Sequence, residues 1–132
     1  MNLKIDWPNR GHEYSKEDLE IVEKIIYDNS TSLSKGKYVQ MFEDKFSNLV
    51  GYESFTTMSG AHALDLAAIL IDTNVNDEII IPAHTYCATA LAFVRNNAKI
   101  KWADINKDSL TVSLDSIKKL VTNKTKAIVI VH

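Results

Sequence analysis

Chemistry is best supported at the turn Met58-Ser59-Gly60-Ala61-His62-Ala63-Leu64, where a β-prone run meets an apolar helical stretch. The first N–H groups of a helix have no intrahelical acceptor and carry a partial positive charge, which suits a phosphate. Gly60, Ala61 and His62 would donate to it through the backbone. The same residues also read as Ser59 acting only as an N-cap and Gly60 only as a turn. A second candidate is Pro82-Ala83-His84-Thr85-Tyr86-Cys87-Ala88-Thr89, after an apolar run. Open α/β sheets bind ligands at the carboxyl ends of their strands, and an aromatic ring there can stack on a flat cofactor. The alternative for Tyr86 is a half-buried aromatic on a helix face. Cys87 has no thiolate-stabilising partner in the pattern and reads as a packed thiol. His62 and His84 lack metal-ligand spacing, and a lone histidine near a helix start more often caps or packs. No G-x-G-x-x-G or G-x-x-x-x-G-K-[ST] is present to indicate a dinucleotide or P-loop site.

These residues need a scaffold, and the hydrophobic periodicity supplies one. Residues 1–14 read as irregular, punctuated by Pro8 and Gly11. Ser15 and Asp18 form a capping box for a helix over 16–28, with Leu19, Val22, Ile25 and Ile26 at helical spacing. A polar loop to Gly36 leads to a second helix over about 38–50, stopped by Gly51. From there the pattern alternates. Strands are expected at 54–58, 78–81, 99–105 and 126–131, and helices at 61–71, 85–94 and 115–121. Asn96-Asn97 would stop the helix at 85–94 in a left-handed turn, and Ser113 or Asp115 would cap the one at 115–121. Strands that alternate with helices make βαβ units and a parallel sheet. The runs Glu78–Ile81 and Lys126–Val131 are continuously apolar or nearly so, as strands covered on both faces are. A self-contained domain would not be expected to stop at His132, directly after such a strand.

The 132 residues suffice for one core, and 45% hydrophobic with 24% charged residues is ordinary for a globular protein. A net charge of −2 gives no electrostatic case for nucleic acid or an anionic membrane. The single cysteine excludes an internal disulfide, and no apolar run is long enough to span a bilayer. The opening residues have no signal-peptide core, so the expected location is the cytoplasm.

Taken in order, several segments resemble one family. They are Gly36-x-Tyr38-Val39-x-x-Phe42-Glu43-x-x-Phe46, Ser59-Gly60-Ala61-His62-Ala63-Leu64 and Asn76-Asp77-Glu78-Ile79-Ile80-Ile81-Pro82. Thr85-Tyr86-Cys87-Ala88-Thr89-Ala90, Ala103-Asp104-Ile105 and Thr122-x-x-Thr125-Lys126-Ala127-Ile128 complete the series. From about residue 15 to 132 the chain looks like the N-terminal part of the DegT/StrS sugar aminotransferases. These pyridoxal-phosphate (PLP) enzymes have the aspartate-aminotransferase fold and aminate keto-sugars on nucleotide carriers, in polysaccharide or secondary-metabolite sugar biosynthesis.

The resemblance implies an incomplete parallel-sheet large domain of that fold. Residues 1–51 would be its N-terminal helices and 52–132 the start of its cofactor-binding sheet. It implies that Ser59, Gly60, Ala61 and His62 hold the PLP phosphate and that Tyr86 stacks on the pyridine ring. Ala61 departs from the family, which commonly has Thr or Ser there, so one hydroxyl donor is absent. It further implies a homodimer, or a chain supplying the missing part, with a keto-sugar and an amino donor, glutamate or glutamine, as substrates. Some relatives dehydrate the sugar instead. The family's Schiff-base lysine and the aspartate facing the pyridine nitrogen match positions beyond His132, and none of the 13 lysines lies in a matching motif. The chain alone is therefore expected not to transaminate. Two other readings stay open: a non-catalytic α/β module that binds phosphate or a nucleotide, and an interaction protein that completes its sheet with a partner. The resemblance also puts the strand at 54–58 away from that at 78–81, with 127–131 beside 78–81.

Overall fold

The computed structural model describes residues 14–28 and 36–132, in two compact units that divide between Thr56 and Thr57. The expectations for residues 1–13 and for the loop at 29–35 fall outside the described residues.

The first unit carries α1 (Lys16–Tyr27) and α2 (Lys37–Val50). Ser15 and Asp18 close the expected capping box. Asp18 N–H donates to Ser15 Oγ at 3.1 Å, and Ser15 N–H donates to Asp18 Oδ2 at 2.8 Å. The second of these bonds holds the Asp18 carboxyl below its usual pKa. Gly51 ends α2 at φ 79°, a left-handed conformation that costs a residue with a Cβ. Neither helix buries a residue, and Leu19, Ile26, Phe42 and Leu49 all stay exposed.

Residues 54–58 do not form the expected strand. Extended backbone becomes a strand only by pairing, and here α2 side chains take up its donors. Ser54 N–H donates to Ser47 Oγ at 2.9 Å, and Thr56 N–H donates to Glu43 Oε1 at 2.7 Å.

The second unit contains α3 (Gly60–Leu70), β1 (Glu78–Pro82), α4 (Cys87–Arg95), β2 (Lys99–Ala103), α5 (Leu114–Leu120) and β3 (Thr125–Ile128). The strands form a parallel sheet in the order β2-β1-β3. Ile79 lies between Ile100 and Ala127, and β3 shifts register between the partners of Glu78 and Ile79. Val129 N–H extends the ladder to the Ile80 carbonyl at 2.9 Å. The expected pairing of 127–131 with 78–81 is thus present, and β3's far edge is unpaired among the described residues.

The core lies between β1 and the layer of α3 and α4. Ile79 and Ile81 meet Ala68, Ala90, Ala92, Phe93 and Ala98 there. Ile80 points to the opposite face, as strand periodicity requires, and is also fully buried. Only β1 is buried along its whole length. In β3 burial alternates, with Ile128 exposed, which corrects the expectation of a strand covered on both faces. The reason is position: β1 is central and β3 is an edge. The strongly apolar α3 buries only Ala68, because among the described elements α4 alone makes extensive contact with it. Asn97, at φ 64°, provides the left-handed stop after α4, and Ser113 caps α5 by accepting from Ser116 N–H.

At the amino end of the sheet, Glu78 accepts from Thr122 Oγ1 at 2.7 Å and pairs with Lys101 at 3.5 Å. The Thr122 bond, reinforced by Lys101 and Lys124, holds the Glu78 carboxyl below its usual pKa.

Candidate functional site

The turn singled out in the sequence is the N-terminus of α3. Ser59 is its N-cap, in extended backbone, and its Oγ accepts from His62 N–H at 3.3 Å. Thr57 Oγ1 donates to the Ser59 carbonyl at 2.8 Å and steadies the approach to the helix. Ser59 through Ala63 are all exposed. The capping reading therefore holds and takes up the His62 amide. Among the described residues, the N–H groups of Gly60 and Ala61 have no protein acceptor. A Cβ placed on Gly60 would meet no atom within 4 Å, so the space there is open.

Tyr86 lies after the carboxyl end of β1, as the N-cap of α4, with its side chain 77% exposed. It is neither on a helix face nor half-buried, because α4 starts two residues later than its sequence pattern predicts. Cys87, the first residue of α4, is exposed and not packed. Thr85 and Thr89 join hydroxyls at 2.9 Å across this helix start.

Tyr86 borders a groove of about 420 Å3, together with Pro82, His84, Thr85, residues 109–112, Val131 and His132. Ser59 through His62 do not line it, so the groove does not bring the two candidate places together. Its outer wall went unrecognised in the sequence. Residues 105–112 form a short flap closed by an antiparallel bridge between Ile105 and Val112, with Leu110 at φ 58°. The turn-forming residues Asn106, Asp108 and Ser109 between two β-branched residues were the available signal. Asn106 Oδ1 accepts from Asp108 N–H at 2.8 Å to make that turn.

A phosphate fits the residues present at α3: two outward N–H donors, a hydroxyl at Ser59 and open space before Gly60. An aromatic cofactor ring fits an exposed Tyr86 at the strand ends. Among the described residues, no lysine lines the groove beside Tyr86.

Comparison with known proteins gives these features a context. GDP-perosamine synthase of Vibrio cholerae is 37% identical over 100 residues, covering 75% of this chain and 27% of that protein. The aminotransferase of Psychrobacter cryohalolentis superposes with a TM-score of 0.82 at 25% identity, over 91% of this chain and 31% of that one. The GDP-4-keto-6-deoxy-D-mannose-3-dehydratase of E coli, solved with bound hydrated PLP, shares the fold at a TM-score of 0.83 and 23% identity, over 96% and 34%. The chain spans only 27% to 34% of the length of the first curated relatives it matches. Its sheet is accordingly an incomplete version of the PLP-dependent aminotransferase fold. The profile of one family matches residues 13–132, nearly the whole sequence, and on that match the chain belongs to the DegT/DnrJ/EryC1/StrS aminotransferase family.

Proposed function

We propose that this chain is the cofactor-anchoring N-terminal segment of a PLP-dependent aminotransferase acting on a nucleotide-linked keto-sugar. The observation that carries this reading is the pair of outward N–H groups of Gly60 and Ala61, beside the Ser59 hydroxyl, at the α3 N-terminus. They bind the cofactor's phosphate and fix its position. Tyr86 offers its exposed ring as a platform for the pyridine and excludes water from that face. Bound PLP supplies an electron sink through which an amino group passes from glutamate or glutamine to the keto-sugar. The lysine and aspartate that this chemistry also needs would be supplied from outside residues 1–132, by further sequence or by a partner chain. A second reading, sugar dehydration, is favoured by one observation: a Yersinia pseudotuberculosis GDP-4-keto-6-deoxy-D-mannose 3-dehydratase matches 98% of this chain at 28% identity.

The test is a titration of the 15N-labelled chain with PLP. Shifts focused on the Gly60 and Ala61 amides and the Tyr86 ring are expected. Borohydride should trap no stoichiometric adduct at a single lysine of this chain, because among the described residues none lines the groove beside Tyr86. Shifts spread over surface lysines with none at α3 would overturn the anchoring role, and a single trapped lysine with amino transfer would overturn its dependence on further sequence. Phosphate-specific shifts without any effect on Tyr86 would favour a non-catalytic phosphate-binding module.

A further inference from the structure

Among the described residues, three that are not glycine take a left-handed backbone: Asp72, Asn97 and Leu110. Aspartate and asparagine tolerate that region because their short polar side chains bond locally, whereas a leucine Cβ crowds the following carbonyl. Leu110, at φ 58°, is therefore the strained one. The flap holds it there. Leu110 N–H donates to the Asn106 carbonyl at 2.9 Å, and Asn106 N–H donates to the Thr111 carbonyl at 2.8 Å. The Ile105–Val112 bridge closes the loop, and the Ser109 and Thr111 hydroxyls join at 2.8 Å. Glycine or asparagine would serve the same backbone without strain. The core does not require leucine either, since the side chain is 57% exposed and lies outside the core cluster. What Leu110 does line is the groove beside Tyr86. Strain kept where another residue type would relieve it marks a side chain with a use outside folding.

The rest of the groove indicates what that use is. Among the described residues, no Asp, Glu, Lys or Arg lines it, so it suits an uncharged group. Its apolar lining is Pro82, Leu110, Val112 and Val131. Its polar groups include His84, Tyr86 and His132, whose side chains make no hydrogen bond among the described residues. A volume of about 420 Å3 lies within the range of small-molecule sites. The groove opens where β1 ends at Pro82 and beyond the end of β3, the side on which open α/β sheets receive ligands. A sugar ring has the matching division of character, with C–H groups on its faces and hydroxyls around its edge. A nucleobase offers a flat face to Tyr86 but no such C–H groups to the aliphatic lining.

We propose that Leu110 is a specificity-determining residue for the sugar. Its side chain forms the apolar wall of a subsite beside Tyr86 that receives the sugar ring and favours a deoxygenated carbon over a hydroxylated one. The inference rests on the keto-sugar reading proposed above and names where that ring binds. A hydroxyl against Leu110 would lose its water without gaining a partner, whereas a methyl group there buries apolar surface.

The experiment titrates the full chain, followed by NMR, with methyl α-D-rhamnopyranoside and methyl α-D-mannopyranoside, two uncharged probes that differ only in a methyl against a hydroxymethyl group. Both should shift the Leu110 and Val112 methyls and the Tyr86 ring, and the deoxy sugar should bind about threefold more tightly. Leu110→Ala keeps the strained backbone and removes the wall. It should weaken the deoxy sugar about fivefold and bring the two probes within about 1.5-fold of each other, without raising the melting temperature. Leu110→Gly should weaken binding as much yet raise the melting temperature by about 3 °C, because the left-handed strain is released. A lower melting temperature in Leu110→Gly would show that the leucine serves folding and would overturn the proposal, as would unchanged discrimination in Leu110→Ala. Absence of sugar shifts at the groove, with PLP still shifting the Gly60 and Ala61 amides, would overturn the subsite and leave the anchor standing. Absence of both would overturn both. Shifts at Leu110 and Tyr86 with guanosine or thymidine but with neither glycoside would give the groove to a nucleobase and overturn the sugar assignment.

Discussion

Ile81 tests whether the β1–α3–α4 interface is the core on which the site rests. Its side chain is fully buried in a cluster whose helical contributions are Ala68, Ala90, Ala92 and Phe93. Ile81→Ala removes three carbons, about 2.4 kcal/mol of transfer free energy at roughly 0.8 kcal/mol per methylene. The cavity adds to this, since alanines have no rotamers with which to fill it and the sheet holds the backbone on both sides. A total of about 3–4 kcal/mol follows, in the upper part of the usual range for such substitutions. Ile81→Val, which removes one carbon, should cost about 1 kcal/mol. Ile69, on the same α3 layer but 58% exposed, should tolerate alanine at under about 0.5 kcal/mol. Urea unfolding followed by circular dichroism measures all three. At about 0.05–0.15 kcal/mol of stability per residue the 132-residue chain has about 7–20 kcal/mol, so Ile81→Ala should lower the urea midpoint clearly without unfolding the chain in water. Equal costs at Ile81 and Ile69, or less than 1 kcal/mol at Ile81, would refute this assignment of the core.

The glycines provide a contrast: Gly51→Ala should cost about 1–2 kcal/mol because φ is 79°, while Gly60→Ala should leave thermal stability nearly unchanged because its Cβ would meet nothing. Differential scanning fluorimetry separates the two, and a large loss at Gly60 would show that α3 packs differently. The Glu78 carboxyl, held low by Thr122 and Lys101, contributes stability that is present above the unfolded carboxylate pKa and is lost as pH falls through its lower folded value. Urea midpoints of the wild-type chain should therefore fall on acidification more steeply than those of Glu78→Gln, and parallel curves would contradict the coupling. The far edge of β3, with Ile128 and Ile130 exposed, should make the chain self-associate, and Ile130→Lys should reduce this in light scattering. A wild-type monomer with a sharp cooperative melt would contradict that expectation.

Much of the scaffold was legible because its signals are local. Ser15 with Asp18, Gly51, Asn97 and Ser113 act through bonds or dihedrals within a few residues, and each ends or starts a helix where its chemistry requires. Within the central strand, Ile79, Ile80 and Ile81 are fully buried on both faces, as a continuous apolar run suits, while Glu78 is buried at the strand's start with Thr122 and Lys101 as partners. The donors at Gly60 and Ala61 follow from the same local logic, as the first turn of any capped helix leaves amides unpaired.

What residues 54–58 become could not be read locally. Their side chains favour a strand, but a strand needs a neighbour, and Glu43 and Ser47 on α2 take their amides instead. The two candidate places also needed the folded chain to be told apart: Tyr86 caps α4 at the groove under the 105–112 flap, while the Ser59 turn lies outside that groove. Sequence determined which segments are helical and which backbone amides a capped helix start leaves unpaired, because capping and periodicity act over a few residues. Tertiary structure alone decided the strand order, the exposure of Tyr86 and Cys87 and the contact of His62 with the Ser59 hydroxyl, because these depend on which surfaces distant segments leave uncovered and on distances of a few tenths of an ångström.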